Sequence, residues 1–173
     1  MDSLLWIDVE TTGLDPENDA LLEIGMAYTD ADLNPIDGPF DVTLRWEGTP
    51  DPFIETMHGP NGLLDACRTG LDPEEAYRRA REYAHRHTDA LVAGSSVRFD
   101  RAMLDAHDPR ILAGLGHRSL DVSSLDEAAR LWNPEYRAHR PERTTDHRCL
   151  HCLADSIALA RHYRRLYGEA PCA

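Results

Sequence analysis

The 173-residue chain carries a formal net charge of −13, and all 18 of its basic residues are arginine. That acidity argues against a long nucleic-acid groove, which gains affinity by neutralising many phosphates, but leaves room for a small anionic ligand held by one or two placed arginines. The length suits a single domain spanning residues 1–173 with a sizeable core. With no apolar run near 18 residues and no charged-then-apolar leader, the chain is expected to be soluble, unexported and cytoplasmic. Four cysteines, two packed tightly (Cys149 and Cys152) and two isolated (Cys67 and Cys172), make a poor disulfide framework and agree with a reducing compartment.

In chain order, LLWIDV (residues 4–9) is a short apolar run that predicts a buried strand, followed by the turn-rich TTGLDPEND. ALLEIGMAYTDADLNPID predicts a second strand that turns through Asp32 to Pro35, and FDVTLRW (40–46) a third with period-two alternation. The three fit an antiparallel meander. DPFIETMHGPNGLLDAC reads as loop and short helix, and residues 72–87 as a helix whose acidic, Pro-containing first turn and basic end complement its dipole. ALVAGSS (90–96) is a strand feeding the helix RFDRAMLDAH, and residues 119–132 run from strand to helix with Ser123 or Ser124 as the cap. NPEYRAHRPERTTD is an arginine- and proline-rich loop, and helical spacing resumes from about His147 to Tyr167. The order βββαβαβα predicts an α/β fold of three layers around a mixed sheet.

The strongest chemical signal is Asp8 and Glu10 in WIDVETTG. Residues i and i+2 of a strand face the same way, so both carboxylates project from one face. Two negative charges there repel, and burying one alone is costly. A divalent cation resolves the conflict, since hard oxygen ligands suit magnesium or manganese. A solvated strand end, with Glu10 capping the next loop, accounts for the same spacing. Asp100, at the first turn of a later helix, completes the cluster if its strand lies beside the first; the helix dipole explains it equally well in isolation.

Taken together, LLWIDVETTGLDPENDALLEIG, AGSSVRFDRAML, HRSLDVSSLDEAARLW and the H-x-x-L-x-x-x-x-x-S-I-A helix resemble oligoribonuclease, a DEDD exonuclease with a ribonuclease-H-like fold and a five-stranded mixed sheet. The resemblance covers roughly residues 4–167 in order. It implies a two-metal nuclease, using magnesium or manganese, that removes nucleotides from 3′ ends and acts best on 5′-phosphorylated dinucleotides. Two cations about 4 Å apart would hold the scissile phosphate, activate water and stabilise the leaving oxygen. By position, Asp8, Glu10 and Asp100 match three metal-binding acids, and His147 the histidine that deprotonates the attacking water. An unperturbed imidazole pKa near 6.5 suits that role.

The family's histidine is followed, at the fourth and fifth positions beyond it, by two aspartates, and the fifth is a metal ligand. Here those positions are His151 and Cys152, so the fourth acid is missing. Three readings stand open. Cys152 or His151 replaces the aspartate, a softer ligand that favours manganese or zinc. Alternatively His151 is the base and Asp155, four residues on, the acid. Or the site has lost a metal, and the protein binds dinucleotides without cleaving them. A structural zinc module is a poorer account, because the CxxC lacks a second half-site; Cys149 and Cys152 on one helix face equally suit buried packing.

The resemblance also carries over a pocket that measures substrate length. Leu14 matches a leucine that wedges between the two bases, and Phe53 and His58 match an aromatic (tryptophan in the family) and a histidine of the base-binding wall. Ser96 matches a serine near the active site, and Arg118, Ser123 and Ser124 a cap that grips the 5′ phosphate. His117 stands where the family homodimer has a tyrosine that reaches across to the neighbour's cap, and Thr11 where oligoribonuclease has methionine. DVETTG resembles the proofreading exonucleases that act on DNA, which implies a preference for deoxydinucleotides.

Overall fold

The computed structural model describes residues 3–87, 89–144 and 146–168. Its elements run β1 (Ser3–Thr11), β2 (Leu21–Asp30), β3 (Phe40–Thr43), α1 (Pro52–His58), α2 (Leu63–Cys67), α3 (Pro73–Ala84), β4 (Leu91–Gly94), α4 (Val97–His107), β5 (Ser119–Asp121), α5 (Val122–Trp132), α6 (Pro134–Arg137) and α7 (Cys149–Gly168). The strands form one mixed sheet in the order β3-β2-β1-β4-β5. β2 pairs antiparallel with both β1 and β3, whereas β4 pairs in parallel with β1, and β5 with β4.

β1 occupies the centre because its sequence can bury both faces. Leu5, Ile7 and Val9 join one core cluster with residues of α3 and α4, while Leu4 and Trp6 join a second with Val122, Leu153 and Ala160. This is the strand alternation of period two, and it gives three layers, with α3 and α4 on one side and α5 and α7 on the other. Asp8 and Glu10 continue the Leu4/Trp6 row, so both carboxylates emerge on the side covered by α7.

The expected elements recur, but residues 52–67 hold two short helices, α3 stops at Ala84 and β4 spans only Leu91–Gly94. β3 ends at Thr43, because Arg45 N–H turns to Leu71 O (2.7 Å) and Trp46 N–H to Cys67 O (3.0 Å) instead of extending the ladder. The arginine-rich loop after α5 contains the single turn α6, started by Asn133 and Pro134. The cap of α5 is Asp121 rather than Ser123 or Ser124; its carboxylate accepts the Ser123 N–H at 3.0 Å. Aspartate at the end of a strand serves as well as serine two residues later.

The first turn of α7 lies directly on β2 at Gly25, which pairs with Asp8 across the β1–β2 ladder. A Cβ built on Gly25 would lie 2.4 Å from Cys149 Cβ, so a side chain there forces helix and sheet apart. Gly25→Ala is therefore expected to destabilise the fold by about 1–3 kcal/mol through overpacking, read as a lower urea midpoint.

Candidate active site

The β1 carboxylates sit in a desolvated setting. Glu10 is 7% exposed, and Asp8 Oδ2 is buried with no hydrogen-bond partner among the described residues. Burial, reinforced for Asp8 by the charge of Glu10, pushes both carboxyls up to about 7. The thiols of Cys149 and Cys152 face Asp8 and partly oppose its rise. Asp100 comes from the first turn of α4, is 4% exposed, and accepts the Val9 N–H at 3.0 Å. Burial, and then the charge of Asp8, hold its carboxyl well above the usual carboxylate range. The parallel pairing of β1 with β4 brings α4 to this end of β1, so the three acids converge as their positions predict.

The start of α7 closes the cluster. Glu23 of β2 lies opposite Glu10 in the ladder and is 1% exposed. Arg148 reaches it with Nε at 3.0 Å and Nη2 at 2.5 Å from Oε1. Its other oxygen accepts the Cys149 N–H at 2.8 Å, satisfying one free donor of the helix N-terminus. Glu23 is not among the expected site residues, although a single acid inside the apolar run LLEIG is a visible signal. Cys149 then donates its thiol to Asp8 O at 3.3 Å, and Cys152, one turn on, places Sγ 3.7 Å from Glu10 Oε1.

His151 is not part of this arrangement. Its Nδ1 lies 2.7 Å from Asp146 Oδ1 with the side chain 60% exposed. Asp155 is engaged with Thr144, accepting its N–H at 2.8 Å and its hydroxyl at 3.0 Å. The alternative pairing of His151 as base and Asp155 as acid is thus not brought together, because position i+4 on α7 points to the loop rather than to β1. Cys67 lies apart, with its thiol on Leu22 O, and Cys172 falls outside the described residues. No second zinc half-site forms around the CxxC among the described residues; the group whose ligand atoms all lie within 4.8 Å of one another is Asp8, Glu10 and Cys149.

His147 precedes α7 in a left-handed conformation (φ +62°) and is exposed. A non-glycine residue there costs of order 1–3 kcal/mol and needs outside support. Asn61 supplies it, donating from Nδ2 to Asp146 O (2.8 Å) and His147 O (2.9 Å). Nothing in the local sequence around Asn61 foretold this contact over 86 residues. His58, expected on the base-binding wall, is 1% exposed with Nε2 3.5 Å from Glu10 Oε2. Burial, and then the charge of His147, hold its pKa below the ordinary imidazole value. Its ring stands edge-on to that of His147 at 6.3 Å.

A cleft of ≈ 510 Å³ opens beside Glu10, with Leu14, Phe53, Met57, His58 and Phe99 along it. Leu14 is 81% and Phe53 67% exposed. Leu14 is presented by a loop closed through Asp19, which accepts the Thr12 hydroxyl (3.1 Å) and the Asp15 N–H (2.9 Å). Phe53 stands in the first turn of α1, capped by Asp51. On the other side, a pocket of ≈ 300 Å³ joins Ser96 and Ser123 with Arg137, Arg140 and Arg143. Ser96, itself left-handed at φ +56°, donates its N–H to Asp121 (3.0 Å) and to the Ser123 hydroxyl oxygen (2.8 Å). Arg118, His117 and Ser124 are exposed, and none of them lines this pocket. The arginines that do come from the loop after α5, which position-by-position matching did not reach.

The donors fit a divalent cation. Asp8 presents a buried oxygen that nothing else satisfies, beside a second carboxylate and a thiol. The profile of the RNase_T exonuclease family matches residues 5–160. The chain is 36% identical over 167 residues to oligoribonuclease of Tropheryma whipplei, covering 93% of this chain and 91% of that protein. It is 37% identical over 175 residues to oligoribonuclease of Streptomyces griseus, covering 94% and 85%. Among solved structures, Exonuclease I superposes with a TM-score of 0.79 at 18% identity, over 97% of this chain and 44% of that chain. The zinc-bound complex of E. coli Exonuclease I with single-stranded DNA gives 0.81 at 18%, over 97% and 41%. This chain thus spans less than half the length of those enzymes, and the likeness to them is one of fold.

Two outcomes follow from this geometry. Asp8 and Glu10 titrate near 7 in the folded chain, against 3.8 and 4.5 as free groups, so the folded state holds protons the unfolded chain has released. The stability this gives is complete below about pH 4 and is lost as pH rises through 7. Chelator-treated protein is expected to melt higher at pH 5 than at pH 8 in a calorimetric scan, and Asp8→Asn to reduce that difference. Asn61→Ala is expected to lower kcat by about 10- to 100-fold, the order a small misplacement of a reacting group produces, with KM little changed.

Proposed function

This chain belongs to the oligoribonuclease family of exonucleases, and from that premise we propose that it cleaves very short single strands, chiefly 5′-phosphorylated dinucleotides, to mononucleotides. That it is a nuclease hydrolysing phosphodiester bonds, metal-dependent and acting from the 3′ end on short oligonucleotides, is the coarser statement that membership carries. The dinucleotide reading rests chiefly on Leu14 and Phe53, two exposed apolar side chains lining a cleft that Glu10 also lines. Exposed large apolar groups beside a polar centre mark a place where something flat and apolar binds. Stacking on Phe53 holds a base without regard to its identity.

In this reading the 3′ nucleotide lies in the cleft with its phosphate at Asp8, Glu10 and Asp100. A divalent cation bound there supplies the charge that polarises the phosphate and lowers the pKa of water. His147, exposed, edge-on to His58 and held by Asn61, takes the proton from the attacking water. His58, buried and disfavoured as a cation, keeps Glu10 oriented rather than touching a base. The 5′ phosphate meets the serines Ser96 and Ser123 and the arginines Arg137, Arg140 and Arg143 of the neighbouring pocket. The arginine count matters here: a guanidinium fork suits one terminal phosphate on an otherwise acidic molecule. The reading includes a homodimer and a preference for deoxydinucleotides. Thr11, which stands where the family has methionine, is the residue behind that preference, and its hydroxyl donates to Gly13 O at 2.6 Å.

A time course with 5′-phosphorylated DNA and RNA dinucleotides and a 7-mer of each tests this reading. Rapid loss of dinucleotide with the 7-mer spared is expected, the DNA dinucleotide faster. Asp8→Ala is expected to lower the rate by more than the roughly 100-fold that changes behind a metal ligand cause. Phe53→Ala is expected to raise KM about 5- to 150-fold, the equivalent of about 1–3 kcal/mol of stacking. Cleavage of the 7-mer at the dinucleotide rate defeats the length-measuring cleft. Tight dinucleotide binding without turnover in any metal leaves the protein a binder that has lost its chemistry.

A further inference from the structure

Both residues of the CxxC turn inward at the acidic cluster, whereas family resemblance calls for carboxylate alone. Cys149 Sγ lies within 4.8 Å of carboxylate oxygens of both Asp8 and Glu10. Cys152 Sγ lies 3.7 Å from Glu10 Oε1, and both thiols face the Asp8 carboxylate. Positions i and i+3 of a helix share a face, so the first turn of α7 presents two sulfurs to two oxygens. Asp8 Oδ2, aimed into this group, is buried and has no hydrogen-bond partner among the described residues. Cys67 is equally buried and, like Cys149, sets its thiol on a backbone carbonyl, but it packs against Leu22 and Leu63; what sets the CxxC pair apart is the nearness of its sulfurs to the carboxylates of Asp8 and Glu10.

We propose that this centre binds one thiophilic dication of the zinc class, held by the carboxylates of Asp8 and Glu10 and the thiolates of Cys149 and Cys152. Magnesium demands oxygen ligands in near-ideal octahedral geometry, and sulfur at two of the positions removes that possibility. Zinc takes four mixed ligands tetrahedrally and expands to five when water or substrate joins, with sulfur at about 2.3 Å and carboxylate oxygen at about 2.0–2.2 Å, which sets a sulfur and an oxygen of one tetrahedral shell about 3.5 Å apart. The 3.7 Å between Cys152 Sγ and Glu10 Oε1 is already close to that span. Binding exchanges the two thiol protons for the cation, so two protons leave to solvent and no electrons move. Gly25 is the structural condition for this arrangement, because any side chain there would lift Cys149 off the cluster. The inference rests on the reading of the same cluster as the nuclease's metal centre, but binding can be measured without turnover.

Cobalt(II) titrated into reduced, chelator-treated protein is the test, followed by displacement with zinc and with magnesium. One cobalt per chain is expected, with a near-ultraviolet thiolate-to-cobalt charge-transfer band that micromolar zinc abolishes and millimolar magnesium leaves intact. Cys149→Ser and Cys152→Ser are each expected to remove about half of the band and the double variant all of it, while Cys67→Ala leaves it unchanged. Cys152→Asp keeps a ligand and is expected to weaken the preference for zinc over magnesium by about 10- to 100-fold. Cobalt bound without the band, no cobalt bound at all, or a band that survives in the double serine variant overturns the proposal. A charge-transfer band together with no hydrolysis of any dinucleotide keeps the metal assignment and defeats the nuclease reading. Hydrolysis in magnesium without a band does the reverse.

Discussion

Glu23 is the residue on which the site's geometry turns. It is buried between β2 and the first turn of α7, and it answers Arg148 and the Cys149 N–H together. A buried carboxylate with one partner removed is an uncompensated charge, costing about 3–5 kcal/mol, so this contact fixes where α7 begins with little latitude. Everything chemical follows from that starting point. His147 is the residue just before Arg148, and Cys149 and Cys152 are the first and fourth residues of the helix. A shift of α7 by one residue would turn the cysteines from β1 and take His147 away from His58.

The same region concentrates negative charge where the fold least tolerates it. Asp8, Glu10, Glu23 and Asp100 are gathered at one end of β1, and Arg148 is the cation that the hydrogen bonding assigns to them, through Glu23. Burial raises the proton affinity of Asp8, Glu10 and Asp100, so each would sooner be neutral than charged in the bare protein. Local conflict of this kind is rare in a sequence that is otherwise consistent with its fold, and it gathers at sites of function. The core beneath is free of it: Leu5, Ile7, Val9 and their partners are apolar and fully packed. Stability is carried by the sheet and its helices, and the charged end of β1 draws on it.

The fold was legible because β1 declares itself. An apolar run that ends in two alternating acids can be read for both burial and face, and the βαβ pattern after it fixes parallel pairing on one side of the sheet. Asp8, Glu10 and Asp100 could be named for the same reason, since strand alternation and one helix start bring them together. Glu23, Asn61 and Asp121 were not named. Each acts through a contact between distant segments, with Asn61 and His147 separated by 86 positions, and no local period records such a contact. The cap at Asp121 lies two positions before the nearer expected serine, because aspartate and serine compete for the same role and the sequence offers both. His151 and Cys152 could not be ranked from spacing alone. Adjacent helical residues point about 100° apart, and only the packing of α7 decides which of them faces β1.

That packing also explains why cysteine is tolerated where a carboxylate is expected. The position at Cys152 is 8% exposed and that at Cys149 is completely buried. A fifth acid beside Asp8, Glu10, Glu23 and Asp100 would add to the repulsion unless metal were always present. A protonated thiol behaves as a small apolar group and adds no charge. Burial pushes the Cys149 thiol far above its ordinary pKa, so in the bare protein it is neutral and packs on Gly25. In the proposed metal centre the cysteines would leave the fold less dependent on its cation while keeping ligands that become available on binding, and they would narrow the choice of cation, because a neutral space-filler without metal is a soft anion with it.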